Sequence, residues 1–449
     1  MDNALEKKYG LLTAIAMVIG IVIGSGVFFK AEKILVATGG NLPQGILAWS
    51  IGGIIMIVCA YVFATMATRY EKVNGIVDYA EATLGPKYAY FIGWFLAAIY
   101  YPTLTSVLAW VTARYTCVLL GWDIVGAEAM ALAGFYLVLS YAMNALSPKL
   151  AGQFQVSTTV IKLIPLGLMA IMGIIFGLKS GILVSNFTSG VIADTTANPL
   201  FTAVVATSFA YEGWIIATSI NAELKDAKKN LPRALTFGTM FIALIYILYY
   251  TGLAGAVENH VMMQGGETGA KFAFSTVFSN LGGTVLFVFV VISCMGTLNG
   301  LMMGCTRGFY ALAARDMGPS PKVFKGIDPN TNMPTNSSIL GVLIAGAWLL
   351  YFFGANLTPA PWFGPFSFDS SELPIITIYA MYIPIFIMMM AKEQTLGTFK
   401  RFIMPSLAIC ACVFMVIAAF YAHGQAVLFY LIVFGVIMAT GLLVNFNKK

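Results

Sequence analysis

Stretches of apolar residues, separated by short polar segments, divide this chain into twelve parts. Each stretch is long enough to cross a lipid bilayer, which takes about 20 helical residues. We place these spans near 9–37, 43–68, 87–120, 126–146, 152–178, 200–220, 231–257, 272–314, 338–353, 373–391, 402–421 and 425–444. No polar segment is long enough for a soluble domain. The pattern therefore predicts an all-α polytopic membrane protein with twelve transmembrane helices.

The first span contains a poor helix at its centre. Gly20, Gly24 and Gly26 each cost about 1 kcal/mol relative to alanine in a helix interior, and the Ser25 hydroxyl competes for backbone partners. A break at mid-depth leaves N–H and C=O groups that hydrocarbon cannot satisfy. The free N–H groups of the half-helix that begins after the break can bind a carboxylate. The carbonyls that end the half-helix before the break can bind an ammonium. The break indicates a ligand with both charges, although glycines spaced by four also permit close helix packing.

The sixth span carries a second interruption. Glu212 and Gly213 lie near the middle of an otherwise apolar run. A carboxylate there costs about 2.5 kcal/mol or more, so it must face protein, a cavity or a partner. The first and sixth spans are equivalent if the first ten spans form two inverted halves of five. Interruptions at matching places in two halves are typical of the midplane site of a transporter, which favours a binding site over packing.

Composition and charge agree with a membrane protein. The 449 residues are 59% hydrophobic and 10% charged, with a mean hydropathy of +0.85, a balance that excludes a soluble domain. The six cysteines lie in apolar runs without paired spacing, so we interpret them as buried thiols. The net charge of +6 is explained by topology. If the N-terminus lies in the cytoplasm, the outer side has only Lys30, Lys33, Arg114, Lys179 and Lys271, and Lys162 lies within a span. All other lysines and arginines fall on the cytoplasmic side, as expected for inserted helices.

Five motifs carry a resemblance to a known family. Ile23–Phe28 resembles the unwound segment of amino acid–polyamine–organocation (APC) superfamily transporters. Phe209–Trp214 is similar to its partner segment in the L-type branch, which includes bacterial serine/threonine and alanine-serine-cysteine exchangers. Three further stretches resemble motifs of the same family and occur in the same order along the chain: Glu223–Ala234, Ala314–Pro319 and Pro334–Asn336.

The resemblance implies a LeuT-type fold of five-plus-five inverted repeats followed by two accessory helices. One transmembrane domain, 1–449, would contain the repeats 9–178 and 200–391 and the accessory pair 402–444. It implies a secondary transporter that works by alternating access.

The resemblance also implies roles for individual residues. The substrate-binding set is Val22, Gly24, Ser25, Gly26, Phe209, Ala210 and Glu212. Backbone N–H groups of Ser25 and Gly26, with the Ser25 hydroxyl, would hold the substrate carboxylate. Carbonyls of Val22, Phe209 and Glu212 would take the amino group, and Phe209 would also gate the site. Glu212 stands where the L-type pattern usually has glycine.

Lys162 in the fifth span lies about 15 Å from the inner end, too deep to reach the interface easily. The resemblance matches it to a lysine between the first, fifth and eighth helices, where sodium-coupled relatives place an ion. It would take the place of that ion and bond the broken first helix near Gly24. Tyr246 resembles a tyrosine linked functionally to that lysine, so the resemblance assigns both residues to coupling. A fixed charge favours exchange or facilitated transport. If burial lowers the pKa of Lys162 towards neutrality, the side chain could bind and release a proton during the cycle and support proton symport. The third alternative is a lysine that only stabilises the helix bundle.

Other functions are less well supported. An intramembrane enzyme needs a base at depth, but His260 and His423 fall in predicted outer loops and the zinc motif His-Glu-x-x-His is absent. A channel needs a symmetric filter, for which the sequence has no signature. Transport of cationic amino acids or polyamines is the nearest rival, because Glu212 could pair with a basic group.

We therefore expect a carrier of small neutral L-amino acids such as alanine, serine, threonine or cysteine, and no enzyme. We expect no catalytic residue, metal, cofactor or nucleic-acid partner. The animal L-type carriers of the resembled branch pair with a glycoprotein through an extracellular cysteine. No cysteine here lies in an outer loop, so we expect a chain in membrane lipid that needs no glycoprotein partner. A monomer is the expected oligomeric state. The expected location is the plasma membrane of a prokaryote, with both termini cytoplasmic.

Overall fold

The computed structural model describes residues 10–70, 75–216, 224–331 and 333–446, and it consists of α-helices joined by short connections. The first ten helices are α1 Leu11–Val22, α2 Ser25–Ala37, α3 Leu42–Ala67, α4 Ile76–Leu84, α5 Pro86–Phe95, α6 Tyr101–Leu120, α7 Ala127–Leu146, α8 Pro148–Leu168, α9 Ile174–Ser180 and α10 Ile182–Thr188. The remaining helices are α11 Pro199–Ala210, α12 Ala227–Ala256, α13 Asn259–Gly265, α14 Glu267–Ala313, α15 Pro321–Phe324, α16 Thr335–Asn356, α17 Leu373–Lys392, α18 Met404–His423 and α19 Ala426–Phe446.

The predicted spans are confirmed. Within the described residues, eleven helical segments are long and apolar enough to cross a membrane, and the bent pair α1 and α2 forms a twelfth. Short π-helical turns join α5 to α6 and α8 to α9, and another precedes α18, so each of these counts as one continuous span. We call the face where α1 begins the N-terminal face. The opposite face, which carries the connection from α16 to α17, is the loop face.

Both predicted interruptions are present. α1 ends at Val22 and α2 begins at Ser25, with 47° between the two axes. Gly24 between them has φ −154° and ψ −143°, outside the helical region. α11 ends at Ala210, and Gly213 follows at φ +106°, a conformation that favours glycine. Residues 217–223, including the end of the predicted sixth span and Glu223 of its following motif, lie outside the described residues.

Close packing accompanies the first break. A Cβ added to Gly20 would lie 2.5 Å from Cγ2 of Thr159 on α8, and one added to Gly24 would clash with Thr297 on α14. The packing interpretation of these glycines is therefore correct as well, although the chain is broken beside them. α1 and α2 are thus wedged between the fifth and eighth spans.

The structure corrects several sequence-based placements. Lys30 is fully buried within α2, and Arg114 lies within α6, although both were assigned to outer segments. His423 is the last residue of α18 and not part of a loop. Cys410 is exposed, unlike the other five cysteines, because it lies on the outward side of α18. Apolar character alone does not tell which side of a membrane helix packs inward.

Candidate functional site

The two broken spans meet at their breaks. A Cβ added to Gly26 would lie 2.5 Å from Cα of Ala210 and 3.1 Å from the Phe209 carbonyl oxygen. One added to Gly213 would lie 3.3 Å from the Ile21 carbonyl oxygen. Only residues without bulk allow the backbones to approach this closely. The structure therefore brings the predicted substrate-binding residues of the first and sixth spans together.

The start of α2 carries unused polar groups. All seven predicted binding residues are buried. The Ser25 hydroxyl has no hydrogen-bond partner in the described part of the chain, and no side chain caps the helix at Gly24. The first N–H groups of a helix have no intrahelical acceptor, and the helix dipole favours an anion there. This position is chemically suited to a carboxylate.

Side chains from two other helices bind the broken end of α1. The Lys162 ammonium donates a hydrogen bond to the Gly20 carbonyl, and the Tyr246 hydroxyl donates to the Val22 carbonyl at 3.1 Å. Both carbonyls belong to the last turn of α1, where the break removes their intrahelical donors. Lys162 and Tyr246 therefore both bind the last turn of α1. The lysine contact lies one turn before the expected Gly24, because α8 packs against α1 at Gly20.

Tyr246 also belongs to an aromatic cluster that the sequence did not reveal. Its ring stacks on Tyr211 at 5.2 Å, and Trp49 contacts Tyr246 edge-on at 5.6 Å. The Tyr211 hydroxyl donates to the Trp49 carbonyl at 2.9 Å. The cluster links α3 and α12 to the break in the sixth span. Aromatic residues are frequent in membrane helices, so no sequence signal distinguishes these three.

Glu212 extends from the second break towards the third span. One carboxyl oxygen accepts a hydrogen bond from the Tyr100 hydroxyl, and Tyr100 lies in the π-helical turn between α5 and α6. The other oxygen, Oε2, is buried and has no partner in the described part of the chain. The carboxyl group was predicted to need protein partners, and Tyr100 supplies one for only one of its two oxygens.

An ion pair lies on the loop-face side of Phe209. The Phe209 ring packs edge-on against Phe29 at 5.9 Å, and the Lys30 ammonium lies 5.2 Å from the Phe209 ring centre. Lys30 contacts Glu372 Oε1 at 2.5 Å. Burial alone opposes ionisation of Glu372, but the Lys30 ammonium and then the His423 ring hold the pKa of Glu372 well below its usual range. Sequence analysis missed this ion pair, although Lys30 follows Gly26 by one helical turn.

The site consists of backbone groups and isolated side chains. Among the described residues, no three histidine, cysteine, aspartate or glutamate side chains converge as metal ligands would. The chemistry on offer is hydrogen bonding and charge pairing between the broken helices and their neighbours. Groups of this kind are chemically suited to a small zwitterion.

The chain is similar to proteins of one known family. The family model described as amino acid permease matches residues 9–442. The serine/threonine exchanger SteT of Bacillus subtilis (strain 168) is 28% identical over 407 residues, covering 90% of this chain and 87% of SteT. The b(0,+)-type amino acid transporter 1 of Mus musculus is 25% identical over 351 residues, covering 78% of this chain and 71% of that protein.

The fold also matches a solved structure. MhsT, crystallised in complex with L-phenylalanine, superimposes with a TM-score of 0.58 at 14% sequence identity, over 93% of this chain and 99% of MhsT. This match confirms the LeuT-type fold predicted from the motifs. Together with its apolar spans, the family match establishes an integral membrane protein. The chain belongs to the amino acid permease family of the APC superfamily and is an amino acid transporter.

Proposed function

We propose that this chain exchanges small neutral L-amino acids by alternating access, without sodium. The observation that carries the proposal is the contact between the two broken spans at Gly26 and Ala210, with unused polar groups beside it. In this proposal the substrate carboxylate binds the N–H groups of Ser25 and Gly26. The substrate ammonium binds carbonyls at the ends of α1 and α11.

The proposed preference for small substrates rests on the closeness of the backbones. Gly26 leaves no room for a methyl group against Ala210, and the Phe29 and Phe209 rings cover the loop-face side. SteT is named for exchange of serine and threonine, and that name supports the same substrate class here. Alanine, serine, threonine and cysteine are therefore the candidate substrates.

The proposed independence from sodium rests on Lys162. Its ammonium is fully buried and donates to the Gly20 carbonyl, so a tethered positive charge already serves the broken end of α1. A fixed charge supplies no driving ion, which favours exchange of one amino acid for another. Proton symport is the second candidate, because no carboxylate lies within salt-bridge distance of Lys162 in the described part of the chain.

Glu212 supports a rival substrate class. Its Oε2 atom is buried without a partner and could pair with a cationic side chain. Arginine, lysine or a polyamine would then be the substrate. We favour neutral substrates because Tyr100 already engages the other oxygen of this carboxyl group.

We also propose an arrangement in the membrane. The two inverted halves would be residues 9–178 and 200–391, with 402–444 as the accessory pair. The N-terminal face would be cytoplasmic, because most lysines and arginines fall on that side. The membrane would be the plasma membrane of a prokaryote, and the chain would work as a monomer without a glycoprotein partner.

Counterflow in liposomes tests the proposal. Purified protein is reconstituted, and uptake of labelled L-serine is compared between vesicles preloaded with unlabelled L-serine and empty vesicles. Exchange predicts strong stimulation by preloading, with little effect of a pH gradient or of sodium. Proton symport predicts uptake into empty vesicles driven by an acidic exterior. Labelled arginine, with Glu212→Gln as the matched variant, tests the cationic rival. Absence of uptake for every amino acid would refute the proposal.

A further inference from the structure

A cluster of polar side chains lies on the loop-face side of the candidate site. Lys30 on α2 is fully buried, and its ammonium contacts Glu372 Oε1 at 2.5 Å and the Ser371 hydroxyl at 3.3 Å. Lys30 follows Gly26 by one helical turn, so it lies on the side of α2 that faces α11. A buried ammonium is costly unless a counter-charge stays in contact. Lys30 and Glu372 thus join the broken first span to the start of α17. We call Lys30, Ser371, Glu372 and His423 the loop-face junction.

The second oxygen of Glu372 has a different partner. His423 Nε2 lies 3.0 Å from Glu372 Oε2, and the His423 side chain is 16% exposed. His423 is the last residue of α18, the first of the two accessory helices. α17 and α18 pack closely against each other, whereas α2 packs against α11, which also contacts α18. One carboxylate therefore connects the broken first span to an accessory helix.

The charges around the junction come from three elements. α2 contributes Lys30 and Lys33, the connection before α17 contributes Asp369 and Glu372, and α18 contributes His423. The two lysines and the two acids cancel when His423 is neutral. Glu32, also on α2, lies among Lys33, Glu267 and Arg114. α11 faces the junction with the uncharged ring of Phe209.

We propose that His423 is a proton-responsive anchor for an outer gate formed by Lys30 and Glu372. This inference rests on the proposed transport by alternating access. Opening of the loop face requires α2 to withdraw Lys30 from Glu372, while Glu372 stays beside His423 on α17 and α18. A proton on His423 places a second cation beside the carboxylate that neutralises Lys30. The closed junction then carries an excess positive charge in a buried place, and the opened junction keeps a complete ion pair between Glu372 and His423.

The sign of the effect follows from these charges. Protonation of His423 weakens the hold of Glu372 on Lys30 and favours opening of the loop face. Acid on that face therefore shifts the protein towards the loop-face-open state. In this proposal His423 gives the first accessory helix a role in the transport cycle.

Accessibility of a cysteine in the site provides the test. Ser25→Cys is labelled with a membrane-impermeant thiol reagent in right-side-out and in inverted vesicles, so the result does not depend on the orientation. The labelled peptide is quantified by mass spectrometry, which separates it from the native cysteines. We divide the labelling rate from the loop face by the rate of the same cysteine in denatured protein at the same pH, because acid lowers the fraction of reactive thiolate. We expect this normalised rate to rise about fivefold to tenfold between about pH 8.5 and about pH 5.5, a range that brackets the titration of histidine.

Three variants in this background identify the groups. His423→Gln keeps a hydrogen-bonding partner for Glu372 but cannot titrate, so the acid effect disappears. Lys30→Gln removes the charge that competes for Glu372, so the acid effect also disappears although His423 is intact. Glu372→Gln leaves Lys30 unpaired, so the site is labelled fast at both pH values. The matched control is His260→Gln, because His260 is the other histidine of the chain and lies exposed beside Glu258 at 3.2 Å.

The outcomes separate this inference from the proposed function. An unchanged acid effect in folded His423→Gln or Lys30→Gln protein would overturn the inference, even if counterflow succeeds. Loss of the effect in His260→Gln would also overturn it. A protein that shows the acid effect but takes up no amino acid would refute the proposed function and leave the junction as described.

Discussion

The hydroxyl of Tyr246 on α12 donates a hydrogen bond to the carbonyl oxygen of Val22, the last residue of α1, at 3.1 Å. A carbonyl at a helix end in hydrocarbon has neither water nor an intrahelical donor. Tyr246 supplies the missing donor from a neighbouring helix. The broken conformation of the first span is thus stabilised from outside that span.

Removing this hydroxyl tests the role of Tyr246. Tyr246→Phe keeps the ring stacked on Tyr211 but leaves the Val22 carbonyl without its donor. We expect the exchange rate to fall about fivefold, the effect of one lost hydrogen bond of about 1 kcal/mol. The measurement is counterflow of labelled L-serine. The matched control is Tyr250→Phe, one turn later on α12, whose hydroxyl has no partner in the described part of the chain. Equal loss in both variants would contradict the assignment.

Lys162 serves the same helix end, and its removal is predicted to cost more. Lys162→Ala removes a charged donor from the Gly20 carbonyl, a bond worth about 1.5–3 kcal/mol. We expect counterflow to drop about tenfold to a hundredfold while the amount of folded protein holds. Lys149→Ala, an exposed position on the same helix, is the control and keeps normal exchange. Unchanged uptake in Lys162→Ala would remove the coupling assignment.

The backbones at the two helix breaks, at Gly26 and Ala210, are predicted to lie too close for an added side-chain carbon. Gly26→Ala places a methyl group 2.5 Å from Cα of Ala210, so the two spans must separate at a cost of about 1–3 kcal/mol. We expect loss of L-serine binding, measured by the shift in melting temperature that the amino acid causes. The control is Gly134→Ala in α7, where a Cβ meets open space. That variant is expected to gain up to about 1 kcal/mol of stability and to bind normally.

The ion pair of Glu372 predicts a dependence of stability on pH. Its pKa is lowered in the folded protein, so the folded state binds fewer protons there than the unfolded state does. The stabilisation is complete above the unfolded-state pKa and is lost as pH falls towards the folded-state value. Between about pH 5 and about pH 3 the melting temperature should therefore fall more steeply in the parent protein than in Glu372→Gln. Glu258→Gln, at an exposed position, should keep the parent slope. Identical slopes for all three proteins would contradict the ion pair.

Local composition predicted much of this fold. Apolar stretches placed the twelve spans, and glycines beside polar residues placed both breaks, because hydrocarbon penalises unpaired backbone groups wherever they occur. The family resemblance, and not local composition, predicted a bond from Lys162 near Gly24, and in the structure Lys162 donates to the Gly20 carbonyl one turn earlier. The exact acceptor depends on how two helices are rotated and shifted against each other. That arrangement is a property of the packed bundle.

Partners far apart in the chain could not be predicted in the same way. Lys30 and Glu372 are separated by 342 residues, and the shared carboxylate also needs the end of α18. Each residue alone is compatible with a solvated loop charge. The aromatic cluster of Trp49, Tyr211 and Tyr246 is hidden for a related reason, since membrane helices carry many aromatic residues that serve only packing. The roles of all these residues in transport stay predictions.

An experimental structure of the protein with bound L-serine tests the central claim most directly. We predict that the carboxylate lies about 3 Å from the backbone nitrogens of Ser25 and Gly26, and that the ammonium faces the carbonyls of Val22 and Phe209. Both spans would stay broken at the positions described above. An unbroken first span, or an amino acid bound away from these backbone groups, would contradict the account.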